Sequence, residues 1–216
     1  MIPLCRYVTR EVAHSLRWIA PVLLFAVAQA VLATGDGGVL STYAMSATVL
    51  FFSATWLTVV ACNVEPPAQE DITVVTVGSR ARVRLAKLLV AYTGCLALDI
   101  VGLVVPAAVA PVAPTPTQLA VGALSQAATA LLGMGVGALC SRPLVRHTAW
   151  AVLLGVTVGL ADVVVPNGPP IRQLLDLLNE PNPRDLLLLV AAVTAETSVL
   201  AAVAVLSSLR VPRAQA

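Results

Sequence analysis

Residues 77–89 read VGSRARVRLAKLL and follow the acidic run Gln69-Glu70-Asp71. Arg80, Arg82, Arg84 and Lys87 fall within eight positions, the most basic part of the chain. Long apolar segments lie on both sides. A cation costs about 2.5–3.5 kcal/mol to insert at the centre of a membrane helix. Four so close together therefore belong in water, between two segments that cross a bilayer. Reading this stretch as a wet loop in an apolar chain decides the fold class.

Composition agrees. The chain has 216 residues, 58% hydrophobic and 11% charged, with mean hydropathy +0.90. Soluble domains carry roughly 25% charged residues. The excess is aliphatic, so the chain reads as an all-α, multi-pass membrane protein. A net charge of +2 is too small for a nucleic-acid binder, and no nucleic-acid partner is expected. Cys5, Cys62, Cys95 and Cys140 lack metal-ligand spacing and read as small apolar residues.

Taken in order, residues 1–17 form an amphipathic interfacial helix. Leu4, Val8, Val12 and Leu16 line one face, with Arg6, Arg10, Glu11, His14 and Arg17 on the others, the cations turned towards lipid phosphate. The alternative is an ordinary basic leader. Ala28-Gln29-Ala30 also imitates a secretory cleavage site, although the leader is long for one. Residues 18–209 form a six-span transmembrane domain, with spans at about 18–33, 43–62, 85–105, 117–139, 148–165 and 186–209. Residues 210–216 are a cytoplasmic tail. Between spans two and three, Pro66-Pro67 starts a short helix that Gly78-Ser79 ends. Pro106, Pro111, Pro114 and Pro116 form a stiff connection to span four. Before span six, Ile171, Leu174, Leu175 and Leu178 form the stripe of an external amphipathic helix.

Six segments approach the ~20 residues that cross about 30 Å of hydrocarbon. The positive-inside rule fixes their sense. With both termini in the cytoplasm, all 13 cations except Arg172 and Arg184 lie inside. The expectation is six spans, N-in and C-in, in a cell membrane of the bacterial plasma-membrane type.

No phosphate loop, nucleophile elbow or zinc-protease motif occurs, and Lys87, the only lysine, follows Ala86. The chain is expected to have no catalytic residues, no metal and no cofactor of its own.

The order of parts resembles the type-2 ATP-binding-cassette (ABC) transporter permeases over nearly the whole chain. The most specific stretch runs from Glu70-Asp71-Ile72 through Val77-Gly78-Ser79-Arg80 to Arg82 and Leu85-Ala86-Lys87. The family typically shows an acidic start, a short apolar helix, a Gly or Ser-Pro break, a basic residue and a Gly-Lys entering span three. Here Ser-Arg stands for Ser-Pro and Ala86 for Gly. The resemblance implies that the loop helix is a coupling helix docking on a separate ABC ATPase subunit, which would hold ATP and magnesium. It also implies a second permease copy or a paralogue. On that reading Glu70 and Asp71 cap the helix and meet the ATPase, and Val74, Val75 and Val77 form its packing face. Gly78 breaks the helix, while Arg80, Arg82 and Lys87 hold the loop at the lipid headgroups. For Arg84 and Lys87 the plainer reading is that they only set topology.

Asp99 in span three and Glu196 in span six are acids within apolar segments, where such groups face a cavity or a partner. With Gln29 and Gln126 they are candidates for a translocation path or a subunit interface. The alternative for Glu196 is a structural hydrogen bond. Gly133 and Gly137, and Gly155 and Gly159, have GxxxG spacing and suit close helix packing, within the chain or across a dimer. The expected function is export of a hydrophobic or amphipathic substrate. The competing reading is a non-transport assembly or regulatory subunit of a larger membrane complex.

Overall fold

The computed structural model describes residues 1–32, 38–110 and 113–141, with Leu153 and Thr157. Spans five and six, the external helix, the tail, Glu196, Gly155 and Gly159 lie outside these residues. What is described is all helical: α1 (Ile2–Ser15), α2 (Ile19–Leu32), α3 (Val39–Cys62), α4 (Pro67–Val77), α5 (Arg80–Val109) and α6 (Pro116–Cys140). Three of these, α3, α5 and α6, are long and apolar enough to cross a membrane; α1 and α2, bent by 73° at their junction, would make a fourth if they form one broken span. Their length and apolar character are those of a membrane-embedded protein.

Local chemistry sets the helix ends. Thr115 caps α6 by accepting from the Gln118 amide, while the Gln118 side chain accepts from the Thr115 amide. This reciprocal box satisfies two of the orphan donors of the first turn, and Pro116 follows at a position where a missing N–H costs nothing. At the other junction, Leu16 has φ 54°, an unusual left-handed state for a leucine, and the chain turns there from α1 into α2.

Helix α3 is the centre. In its most apolar 18 residues 72% are buried, against 28% in α5, and α1, α2, α5 and α6 all pack on it. Gly133 and Gly137 of α6 let that helix approach it closely. A Cβ on Gly133 would lie 2.6 Å from the Phe51 carbonyl oxygen, and one on Gly137 2.6 Å from that of Thr55. The first glycine pair thus serves packing within the chain. Two threonine hydroxyls in this apolar core are satisfied locally: Thr55 donates to the Phe51 carbonyl and Thr58 to that of Ala54, both at 2.8 Å, so neither needs a partner across the interface.

Several expectations are corrected. Helix α5 begins at Arg80 and continues to Val109, enclosing Pro106. Pro106 stands in the last turn, where one missing backbone bond is tolerated, so it does not start the connection. Helix α2 has 14 residues, roughly 21 Å, and is short of a full crossing by itself. Leu16 leaves the apolar stripe of α1, because the left-handed turn puts it on the surface at 63% exposure. Val8 and Val12 hold the stripe, packed with Ala61, Ala86 and Ala91.

Candidate functional site

The chain leaves α3 at Asn63 and enters α4 four residues later, at Pro67. The missing N–H of Pro67 falls where no intrahelical bond is due. At the far end Gly78 has φ 74°, and its amide bonds back to Val74; that left-handed state suits glycine. Ser79 then caps α5. Helix α4 is therefore a short rod with sharp corners, held between α3 and α5.

Its polar side faces the protein. Lys87 Nζ on α5 lies 2.7 Å from Glu65 Oε2, with side-chain exposures of 1% and 0%. Glu70 Oε2 is 3.8 Å from the same ammonium. Glu65 Oε1 accepts from the Tyr7 hydroxyl and from Thr73 Oγ1, both at 3.0 Å. Gln69 Nε2 donates to the Tyr7 oxygen at 2.7 Å. One buried carboxylate thereby gathers α1, α4 and α5.

Burial alone would push the Glu65 carboxyl up. The hydrogen bond and charge of Lys87, with donors Thr73 and Tyr7, outweigh it and hold the group below its ordinary value. Burial also raises the Tyr7 phenol, with the neighbouring Glu65 adding to the effect. The Glu65 carboxyl, held low in this way, is ionised at neutral pH. A buried ion pair is poor evidence of net stability, because desolvation offsets the attraction, but removing one partner leaves a buried charge. Its effect is to fix how α4 sits.

The other side of α4 is apolar and open. Ile72 is 68% and Val75 82% exposed, one turn apart on one face, and no residue of α4 is buried. This corrects the expected face of Val74, Val75 and Val77. Val74 and Val77 are half-buried, because helical spacing turns them away from Val75. Asp71 is exposed and pairs with Arg80 at 3.5 Å, a contact of small energetic weight at such exposure. Arg82 is exposed.

Two cations differ from expectation. Lys87 is not at the lipid headgroups, since Glu65 draws it into the protein. Arg84 does more than set topology: its Nη2 donates to Ser141 Oγ and, at 2.8 Å, to the Ala138 carbonyl. It thus puts a cation at the C-terminal turn of α6, where the helix dipole favours one. Glu65, Tyr7 and Thr73 were missed as site residues. The available signal was that the only lysine of the chain sits two turns inside an apolar helix, where a charge needs a partner.

The helices α2, α3, α5 and α6 meet at a second polar cluster. Gln29 Nε2 donates to Ser46 Oγ. A Cβ on Gly102 would meet Gln126 Oε1, and would lie 3.0 Å from both Ser46 Oγ and a Phe25 ring carbon. Gln29 and Gln126 are 3% and 0% exposed. Among the described residues no hydrogen-bond partner faces either end of the Gln126 amide or the Gln29 carbonyl. The structure therefore brings these two predicted residues to one place. Asp99, one turn before Gly102, has a buried carboxylate oxygen without a hydrogen-bond partner there.

Among the described residues no group of His, Cys, Asp and Glu could hold a metal ion, and all four cysteines are free thiols. No protein-family model, characterised protein or solved structure matches this chain.

Proposed function

We propose that this chain is the membrane subunit of an ABC exporter, with six spans and both termini in the cytoplasm, driven by a separate ATPase subunit that docks on α4. The observation that carries the reading is the pairing of an exposed apolar face, Ile72 and Val75, with a half-buried polar face whose Gln69 and Glu70 meet Tyr7 of α1 and Lys87 of α5. A helix whose only role was to close a loop would have no need of both. The outer face suits a hydrophobic groove on a partner, in the manner of a helix laid in a groove. The inner face passes a push on α4 to the helices behind it as a rigid movement. Asp71, Arg80 and Arg82 set the register of the contact by charge, while Glu70, expected at the ATPase, faces inward to Lys87.

Substrate movement falls to the bundle. Gln29, Gln126 and Asp99 supply the polar groups along an otherwise apolar path, and the cargo is hydrophobic or amphipathic. A second permease completes the path.

The test is co-purification with a stand-alone ABC ATPase encoded beside this chain, followed by ATP hydrolysis in proteoliposomes. Ile72→Glu and Val75→Glu should leave the chain folded and in the membrane while abolishing its stimulation of the ATPase. An unchanged complex with both glutamates in place would refute the docking assignment.

A further inference from the structure

A groove of about 510 Å³ opens between α1, α2, α3 and α5, and its lining is almost wholly apolar. That volume is typical of ligand pockets, roughly 300–1,000 Å³. Along α5 it runs from Val90 to Val101, about 17 Å at helical rise. One leaflet of hydrocarbon is about half of ~30 Å thick, so the groove is one acyl chain long. Val12 and Ala13 of α1 and Trp18 line its end at α1, which we take as the mouth; the Trp18 indole N–H donates to the Ala13 carbonyl there at 3.3 Å. A tryptophan so placed, apolar body inward and N–H tied to the mouth, suits the headgroup level. Helix α1 turns 73° from α2 at this point, so it lies near the membrane plane if α2 crosses.

The charge at the mouth is positive. Arg6, Arg10, His14 and Arg17 are exposed on α1 or just beyond it, against the single acid Glu11. An apolar slot one leaflet long, with cations at its headgroup end, matches one occupant in both parts. We infer that the groove holds an acyl chain of an anionic phospholipid, with its phosphate against Arg10 and Arg17. The inference needs the membrane reading alone and stands apart from any ATPase.

The experiment uses the full chain in nanodiscs containing phosphatidylglycerol or phosphatidylcholine, each with a diazirine in the same acyl chain. Photolabelled peptides are mapped by mass spectrometry. Labelling should concentrate between Val90 and Val101, and phosphatidylglycerol should be preferred by about fivefold for each arginine engaged. Arg10→Gln with Arg17→Gln should erase the preference but keep the acyl label. Ala97→Trp, which fills the groove, should remove that label while α6 is labelled as before. If Ala97→Trp does not accumulate, the exposed arginine pair carries the test. Equal labelling by the two lipids, or labelling unchanged by Ala97→Trp, overturns the inference. So does a disulfide from an Ala97→Cys variant to a cysteine placed in 186–209 of the same chain or of a second copy, since the groove would then be filled by protein.

Discussion

Replacing Lys87 by methionine tests the seating of α4 most directly. Methionine keeps the length of the side chain and removes its ammonium, so Glu65 is left fully buried without its cation, 2.7 Å away in the native chain. The carboxylate then escapes by taking a proton. Moving a carboxyl from an ordinary value near 4.3 up to pH 7 costs about 3.7 kcal/mol, at ~1.36 kcal/mol per unit. Tyr7 and Thr73 still donate to Glu65 and recover part of this, so the expected loss is about 3 kcal/mol, near the low edge of the ~3–5 kcal/mol found when one partner of a buried pair is removed. Hydrogen exchange of amides 68–77 in the purified, detergent-solubilised chain reads that loss as roughly a hundredfold faster opening, since ~1.4 kcal/mol is tenfold. The double variant Glu65→Gln, Lys87→Met keeps a carbonyl for Tyr7 and Thr73 and removes both charges, so it should exchange more slowly than Lys87→Met alone. If Lys87→Met exchanges within about twofold of the native chain, or the double variant is no slower, the ion pair does not seat α4.

Acid should act on the same contact. Because the Glu65 carboxyl is held below its ordinary value, its contribution is fully present above about pH 4.3 and is lost as pH falls through the lowered folded value. Protection of α4, corrected for intrinsic exchange, should be flat from pH 7 to pH 5 and fall only in stronger acid; loss at pH 6 would contradict this. Gly133→Ala and Gly137→Ala should each cost about 1–3 kcal/mol of stability, read as a lower unfolding midpoint in sodium dodecyl sulfate, because each Cβ would stand 2.6 Å from an α3 carbonyl oxygen. An unchanged midpoint would mean the helices separate freely. Gln126→Met is close in volume and removes a buried amide lacking partners among the described residues, a group that costs about 1–3 kcal/mol. It should melt at or above the native temperature while slowing transport in vesicles. Destabilisation with native transport would make Gln126 structural.

The bounds of α4 were legible because the signals are local. Pro66-Pro67 and Gly78-Ser79 dictate backbone states whatever lies around them. Its facing was not, because the three valines were grouped by type. At helical spacing Ile72 joins Val75 outside, and Gln69 joins Thr73 inside. The partner of Lys87 was hidden for a different reason: Glu65 belongs to the loop after α3 and meets the lysine only once α3 and α5 pack. Pro106 misled because proline marks a helix end only in the average, and the last turn of α5 absorbs it. Gln29 and Gln126 could be selected, since each is an amide in an apolar run, but their convergence on Gly102 depends on four helices and on no local signal.

The buried ion pair also constrains the order in which the chain is assembled. Synthesis delivers Glu65 before Lys87, and neither charge is stable in the interior without the other. The inner face of α4 therefore has no place to settle until the start of α5 has arrived. In the interval Glu65 and the polar side of α4 must remain in water, with Tyr7 of α1 waiting for the same acceptor. A chain ending before residue 87 would leave α1 and α4 loose, and one lysine then closes both.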